Sequence, residues 1–404
     1  MHPDDVASGR LFDDLCEGLA RRGWEVTAFP SNRSAWDVSR KFSAQESWRG
    51  INFRRIWRLP IGGASALGRL INAAWINLAW VIRAYGENPD ALIIGTDPVL
   101  SVLVARVWRF MHPSVAIAHW CHDLYPDAAI ADGMLTEHSK LVRLINPLLK
   151  SAYASCDLVV DIGPCMRERM CGIVGSRPGK KTITPWAIIE QIDRPFESSS
   201  LNPKIREIRT SVFGTANLAI MYSGNFGKAH SGDEFLKLAR ILRGQSIHFA
   251  FGARGSGLNS LKSNLSVHDK NITFCSFAPE EDLLFRLTVA DIHLVSLKKD
   301  WTGTVVPSKF FGCLAVGRPA IFAGSPDSSI ARWIKQHKVG WVINDERTIR
   351  LLAKELVELS HHPESLYDLQ NRCREVYWEN FNKDSAISQW DASLRENVKK
   401  RKSF

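Results

Sequence analysis

Along most of the chain, short apolar runs alternate with stretches whose apolar residues recur every three or four positions. The runs at 25–29 (EVTAF), 91–94, 115–118, 158–160, 219–222, 248–251, 272–274, 292–295, 320–322 and 342–343 are strand-sized. Helical periods fill 10–22, 140–154, 232–242, 280–290 and 310–316. This alternation predicts an α/β fold of parallel sheets with helices on both faces. Residues 191–215 are polar and carry no strong apolar period, so they are expected to link two doubly wound halves, 1–190 and 216–380. From about residue 344 the chain is polar and strandless, with helices expected near 347–360, 363–377 and 384–396. A C-terminal helix and basic tail are assigned to 381–404, and the end, VKKRKSF, reads as a solvated tail, with a phosphate or lipid contact as the alternative.

One helical stretch stands apart. Within 64–85, Leu67, Leu70, Ile71, Ala74, Trp75, Leu78 and Ile82 recur at helical spacing, while Ala73, Ile76 and Trp80 make the second face apolar as well. A core helix fits this pattern, and so does a helix lying on a membrane surface, where Trp and Arg are at home. Arg69, Asn72, Asn77 and Arg83 interrupt the stretch, so it does not read as a membrane span.

Composition narrows the classes. The 404 residues suit two domains, and 45% hydrophobic with 23% charged residues mark a globular chain. The net charge of +10 suits phosphorylated substrates or an anionic membrane surface. No basic-aromatic stripe supports nucleic acid, which is not expected as a partner. The eight cysteines form no CxxC pair and read as buried free thiols of a reducing cytoplasm. The polar opening MHPDDVASGR does not read as a signal peptide.

In doubly wound sheets ligands sit beyond the carboxyl ends of the strands, so the residues following each strand carry the chemistry. After 219–222 come Gly224, Asn225, Phe226 and Gly227, then Lys228 and His230, with a helix starting near Ser231. Glycines let a backbone approach a phosphate, and a helix start offers free N–H groups. A plain strand-to-helix turn accounts for the same residues. After 248–251, Gly252 and Gly255 flank Arg254, a second glycine loop with a cation. It has no GxGxxG spacing. Pro279 punctuates the loop after 272–274, and Glu280 to Asp282 open a helix with favourable charge. Main-chain groups there could bond a base edge.

After 292–295 the loop SLKKDWTGT leads to Pro307, Ser308 and Lys309 at a helix start. A lysine there opposes the helix dipole, a cost that a diphosphate reverses. A solvated lysine is the alternative. In the N-terminal half, 115–118 runs into His119, His122, Asp123 and Asp127. Their spacing is not a standard zinc set, and no metal is expected. His122 and Asp123 read as polar site residues.

The segments SGNFG, FAPEED, ADIHLVSL, DLYPD and VVPSKFFGCLAVGRPAIF resemble family 4 of the retaining glycosyltransferases, of GT-B fold. The likeness is to the bacterial branch that builds capsule, O-antigen and exopolysaccharide. It covers nearly the whole chain and is strongest from 219 to 343. It implies two Rossmann-like domains facing a cleft, the C-terminal one binding a nucleotide-diphospho-sugar, usually UDP-linked, and the N-terminal one a lipid-diphosphate-linked sugar acceptor. No cofactor or metal is implied, because side-chain cations neutralise the diphosphate, and the transferred hexosyl or N-acetylhexosaminyl group retains its configuration. Localisation follows as cytoplasmic, peripheral on the inner face of the plasma membrane. His122 matches a family histidine at the donor sugar and acceptor, and with Lys309 and Arg254, read from their own positions beyond the strands, it makes the expected catalytic set. By motif position Gly224 and Asn225 lie in the loop that approaches the diphosphate, and Phe226, Gly227, Lys228, Gly252, Pro279, Ser308 and Asp123, read from their places beyond the strands, complete the expected substrate-binding residues.

Three departures from the family pattern stand out. Where many members carry two glutamates, the second on the ribose, this chain has Thr304 and Gly312. Where an arginine and a lysine follow the SG turn, it has Asn225 and Ser231, so Lys228, Arg254 or Lys309 must supply the charge. The family opens with a strand, whereas MHPDDVASGRLFDDL starts in the loop beyond it. An N-terminal domain lacking its first strand is therefore expected, with either an upstream start or poor stability. The departures keep a second expectation open: a truncated or catalytically lapsed relative that binds nucleotide sugar or lipid without turnover.

Overall fold

The computed structural model describes residues 1–4, 6–34, 37–61, 66–176, 178–189, 203–276 and 283–403. The chain divides into two compact units. One comprises 1–188, 303–305 and 383–404, and the other 189–302 and 306–382.

In the first unit β1 (Val26–Ala28), β2 (Gln45–Trp48) and β3 (Ile51–Arg54) form one sheet, in the order β1-β3-β2. The β2–β3 hairpin closes through Arg49 and Gly50, both at positive φ, the turn chemistry a tight hairpin needs. The apolar runs did not predict this hairpin, because QESW is polar and in INFR only Ile51 and Phe53 face inward. A second, parallel sheet orders β4 (Ala91–Gly95), β5 (Ala116–Trp120), β6 (Leu158–Asp161) and β7 (Gly179–Thr182) in sequence. The described strands of this unit thus lie in two sheets rather than in one doubly wound sheet.

The helix Ala66–Ala84 is turned against its own apolar period. Asn72, Ala73 and Ile76 are buried, while Leu70, Ile71, Leu78 and Ile82 are exposed. The indole N–H groups of Trp75 and Trp80 donate to Trp57 O (2.7 Å) and Phe29 O (2.9 Å), which fixes this orientation. The core-helix expectation is corrected by that exposure. The helix packs on Val104–Met111, which packs on Lys140–Ala154. Phe110, Leu141, Leu144 and Leu148 of these two helices are exposed as well.

The C-terminal helix Lys383–Lys402 belongs to the first unit and buries Ile387, Trp390 and Leu394. Gly18 lets it approach, since a Cβ there would stand 2.6 Å from Ile387 Cδ1. The expected solvated tail is corrected: Arg401 pairs with Asp157, and Lys402 Nζ lies 2.7 Å from Asp90. A charge run becomes a docked helix end because Asp157 and Asp90, just ahead of β6 and β4, meet it with carboxylates.

In the second unit β8 (Leu218–Asn225), β9 (Ile247–Arg254), β10 (Ile272–Cys275), β11 (Ile292–Leu297), β12 (Ala320–Gly324) and β13 (Gly340–Ile343) are all parallel. Their order, β10-β9-β8-β11-β12-β13, is the doubly wound order with its switch point between β8 and β11. Leu218, Ile220 and Tyr222 of β8 pack into a core with Phe235, Phe249 and Phe251. The segment taken as linker is helical over Pro203–Phe213, and Ile205, Ile208, Val212 and Phe213 pack on Ala219, Met221 and Ala250. Those four residues lie on one face, hidden in the sequence among charges. Residues 191–202 of that segment, and the FAPEED loop with Pro279, lie outside the described residues.

Candidate functional site

In the second unit the predicted residues gather at the carboxyl end of β8, beside the switch point. Strand pairing sets Asn225 opposite Arg254 and Ser223 opposite Gly252. Gly224 takes φ +128, a conformation only glycine adopts without strain. A Cβ on Gly224 would stand 3.6 Å from Lys309 Cε, so the lysine lies along the bare turn.

Lys309 Nζ donates to Asn225 O at 3.0 Å and to the hydroxyl of Tyr222, and stands 4.1 Å from the centre of the Tyr222 ring. Tyr222 O–H donates in turn to Asn225 O at 2.9 Å. Burial pulls the Lys309 ammonium down to about 7. His230 lies close by. Its Nδ1 donates to Ser296 O on β11 at 2.6 Å, since a carbonyl can only accept, leaving Nε2 as acceptor. Burial first, then the Lys309 charge, pulls His230 down to about 3, so its imidazole is neutral at pH 7. Ser308 is half-buried next to Lys309, and its carbonyl accepts from Phe311 N at 3.1 Å. Lys228 and Arg254 are exposed.

Two predicted contact residues are corrected. Phe226 is buried in the core, and its N–H and C=O are taken by Arg254 O (2.6 Å) and Gly257 N (2.9 Å). It shapes the turn and presents no side chain to a ligand. Gly252 is not in a loop. It sits inside β9, where a Cβ would come within 2.8 Å of Met221 Cε and 3.2 Å of Cys275 Sγ. The glycine there serves packing, and the turn falls later, at Gly255 with φ +124. Tyr222 was missed, because a tyrosine within a buried strand reads as core.

In the first unit His122 and Asp123 follow β5. Thr96, just after β4, ties them together: its Oγ1 accepts from the N–H groups of His122 (2.7 Å) and Asp123 (3.4 Å) and donates to Trp120 O (3.1 Å). The His122 ring lies 4.4 Å from Trp120 and 6.0 Å from Phe12. Its Nε2 is buried with no hydrogen-bond partner among the described residues. Burial pulls His122 down to about 3 and pushes Asp123 up to about 6, with Asp97 adding to the latter. Thr96 and Asp97 were not anticipated, although they follow a strand directly. Thr304, on 303–305 of the same unit, is buried, and its carbonyl accepts from Leu124 N at 2.9 Å. Among the described residues no three His, Cys, Asp or Glu side chains gather as a metal-ligand set.

These features match known proteins. Residues 8–188 match Glycosyltransferase Family 4. The chain is 24% identical to WbjE of Pseudomonas aeruginosa, named as a glycosyltransferase, over 77% of this chain and 73% of that one. It is 22% identical to WcaI of Escherichia coli K12, named as a colanic acid biosynthesis glycosyl transferase, over 92% of this chain and 96% of that one. The fold is similar to that of HepE of Anabaena in complex with UDP, with a TM-score of 0.65 at 12% identity, covering 97% of this chain and 96% of that one. Fold and sequence match together define a glycosyltransferase of GT-B type. The chain fits family 4 of these enzymes and, within it, the surface-polysaccharide branch.

Proposed function

We propose that this chain moves a hexosyl or N-acetylhexosaminyl group from a nucleotide-diphospho-sugar, UDP-linked, to a lipid-diphosphate-linked acceptor in surface polysaccharide synthesis. Transfer retains the anomeric configuration and needs no metal. The observation that carries this reading is Lys309, a half-buried cation laid along the bare Gly224 turn at the switch point, with no carboxylate bonded to it among the described residues. A fixed positive group there stabilises the charge that develops as the diphosphate leaves, and this term is large where water is excluded. Arg254 at the paired strand end adds a second cation. His122 offers its unpartnered Nε2, and Asp123 its carboxyl, to sugar hydroxyls. The UDP assignment is supported by HepE, whose structure holds UDP.

The acceptor reading places the chain at the inner face of the plasma membrane. No helix among the described residues is long and apolar enough to cross a membrane. The exposed apolar side chains of Ala66–Ala84, Val104–Met111 and Lys140–Ala154 are interspersed with exposed Arg69, Arg83, Arg106, Lys140, Arg143 and Lys150. Apolar area edged by cations is what an anionic lipid surface attracts.

A second reading, a lapsed enzyme that binds without turnover, is favoured by Thr304 and Gly312. Thr304 is buried, and Gly312 is buried in its helix, where a Cβ would stand 3.3 Å from Leu287 Cδ1. Neither position supplies a carboxylate. Thermal shift against UDP, GDP, ADP and their common sugar conjugates, followed by transfer assays on lipid-diphosphate sugars, separates the readings. A shift with turnover supports the transferase, a shift without turnover a lapsed binder of nucleotide sugar, and no shift from a folded chain removes the transferase and leaves a lapsed relative that binds lipid alone.

A further inference from the structure

Tyr222 is fully buried in the core of the second unit, and its hydroxyl reaches the backbone at the carboxyl end of β8. There it accepts from Lys309 Nζ and donates to Asn225 O at 2.9 Å. The same carbonyl accepts from Lys309 Nζ at 3.0 Å, and the ammonium stands 4.1 Å from the ring centre. Three groups thus form a closed triangle that occupies two of the three N–H donors of the ammonium. The third donor remains for a ligand. The lysine stem runs past Gly224, where no side chain intervenes.

We infer that Tyr222 is a positioning residue of the donor site: its hydroxyl, with the Asn225 carbonyl, aims Lys309 so that the remaining N–H meets a phosphate oxygen of a nucleoside diphosphate. This rests on the reading of Lys309 as the diphosphate ligand. A free lysine spreads over many rotamers, and ordering it on binding costs affinity. Two hydrogen bonds and an aromatic face hold it before the ligand arrives, so that cost falls on folding instead. The buried ring gives the hydroxyl a fixed mount, as a flexible polar side chain would not.

The test uses the full chain and whichever of UDP, GDP and ADP binds the wild type most tightly. Affinities for that diphosphate and for its phosphate-free nucleoside are measured calorimetrically for wild type, Tyr222→Phe, Lys309→Ala and the double variant. Tyr222→Phe is expected to weaken the diphosphate about five- to tenfold, the size of one lost hydrogen bond. It should leave the nucleoside unchanged and add nothing in the Lys309→Ala background. Losses that multiply in the double variant, an equal loss for the nucleoside, or an unchanged diphosphate affinity would each reduce Tyr222 to a core residue while Lys309 keeps its role. A Lys309→Ala chain that binds as wild type, or a wild type that binds none of the three, removes the diphosphate reading itself and this inference with it. If Tyr222→Phe fails to fold, fluorotyrosine at position 222 replaces it. It keeps the hydroxyl, weakens it as an acceptor, and should produce a smaller loss of the same pattern.

Discussion

Arg401 and Asp157 are 244 residues apart in sequence, and the Arg401 Nε lies 2.7 Å from the Asp157 carboxylate. The other oxygen of Asp157 accepts from Arg109 Nη2 at 2.6 Å and from the Ile117 N–H at 2.8 Å. One carboxylate therefore ties the last helix to β5 and to Val104–Met111. Asp157→Ala leaves two guanidinium groups and a backbone N–H facing one another, a loss of about 2–4 kcal/mol. The melting midpoint is expected to fall, and limited proteolysis should clip within 383–402 before it cuts elsewhere. A variant with an unchanged midpoint and an intact C-terminal helix would show that the pair is dispensable.

Two glycines of the second unit should fail in different ways. Gly224→Ala meets no clash, its new methyl standing in ordinary contact 3.6 Å from Lys309 Cε, but an unfavourable φ of +128. The expected result is a modest stability loss of about 1 kcal/mol and a larger loss of nucleotide affinity. Gly252→Ala meets Met221 Cε at 2.8 Å and Cys275 Sγ at 3.2 Å inside the sheet. Overpacking costs about 1–3 kcal/mol, and nucleotide affinity should stay near wild type in the fraction that folds. Melting curves and titrations on both variants read this contrast, and the reverse ranking would move Gly252 back into the site.

The α/β class and most strands of both units were legible because buried parallel strands are continuous apolar runs, Ala219–Tyr222 and Ile292–Val295 among them. The β2–β3 hairpin was not, because a half-exposed strand four residues long gives only two apolar positions. Glycines were read as phosphate loops because spacing does not distinguish a turn from tight packing. Gly224 and Gly252 look alike in sequence, and only the neighbours of a Cβ separate them. Lys309 was legible as a cation at a strand-following turn. Its partner Tyr222 was not, since strand periodicity points that side chain inward and says nothing of where its hydroxyl ends.

The exposed apolar side chains of the first unit give a membrane prediction. Leu78 and Leu144 are 52% and 67% exposed, on Ala66–Ala84 and Lys140–Ala154. Burying a leucine of this exposure in a lipid interface contributes about 1–2 kcal/mol. Leu78→Glu and Leu144→Glu should each lower binding to vesicles containing anionic phospholipid about five- to thirtyfold without lowering the melting midpoint. High salt should weaken wild-type binding, because the interspersed Arg and Lys groups are screened. Vesicle sedimentation that is unchanged by both substitutions would leave the helices as an ordinary surface.

The last prediction follows from the electrostatics of Lys309. Burial holds its ammonium near 7 in the empty site, so the proton is lost as pH rises through that value. A bound diphosphate raises the proton affinity, so this group's contribution is greatest below pH 7 and weakens above it, by about fifteenfold between pH 7 and 8.5. The neighbours do not titrate in this window, since His230 is held near 3 and Cys313 near 12. The terminal phosphate of a nucleoside diphosphate ionises with a pKa of about 6, so its own titration would strengthen binding with pH, the opposite sign. Stability of the empty chain runs against affinity. The unfolded lysine keeps its proton to about 10.4, so between 7 and that value the unfolded state binds more protons and this group makes folding more favourable as pH rises. Lys309→Arg should flatten the affinity profile, because a guanidinium stays charged throughout. Titrations of wild type and Lys309→Arg across pH 6.5–9 decide the matter: a flat wild-type profile would mean that the ammonium keeps its charge in the empty site.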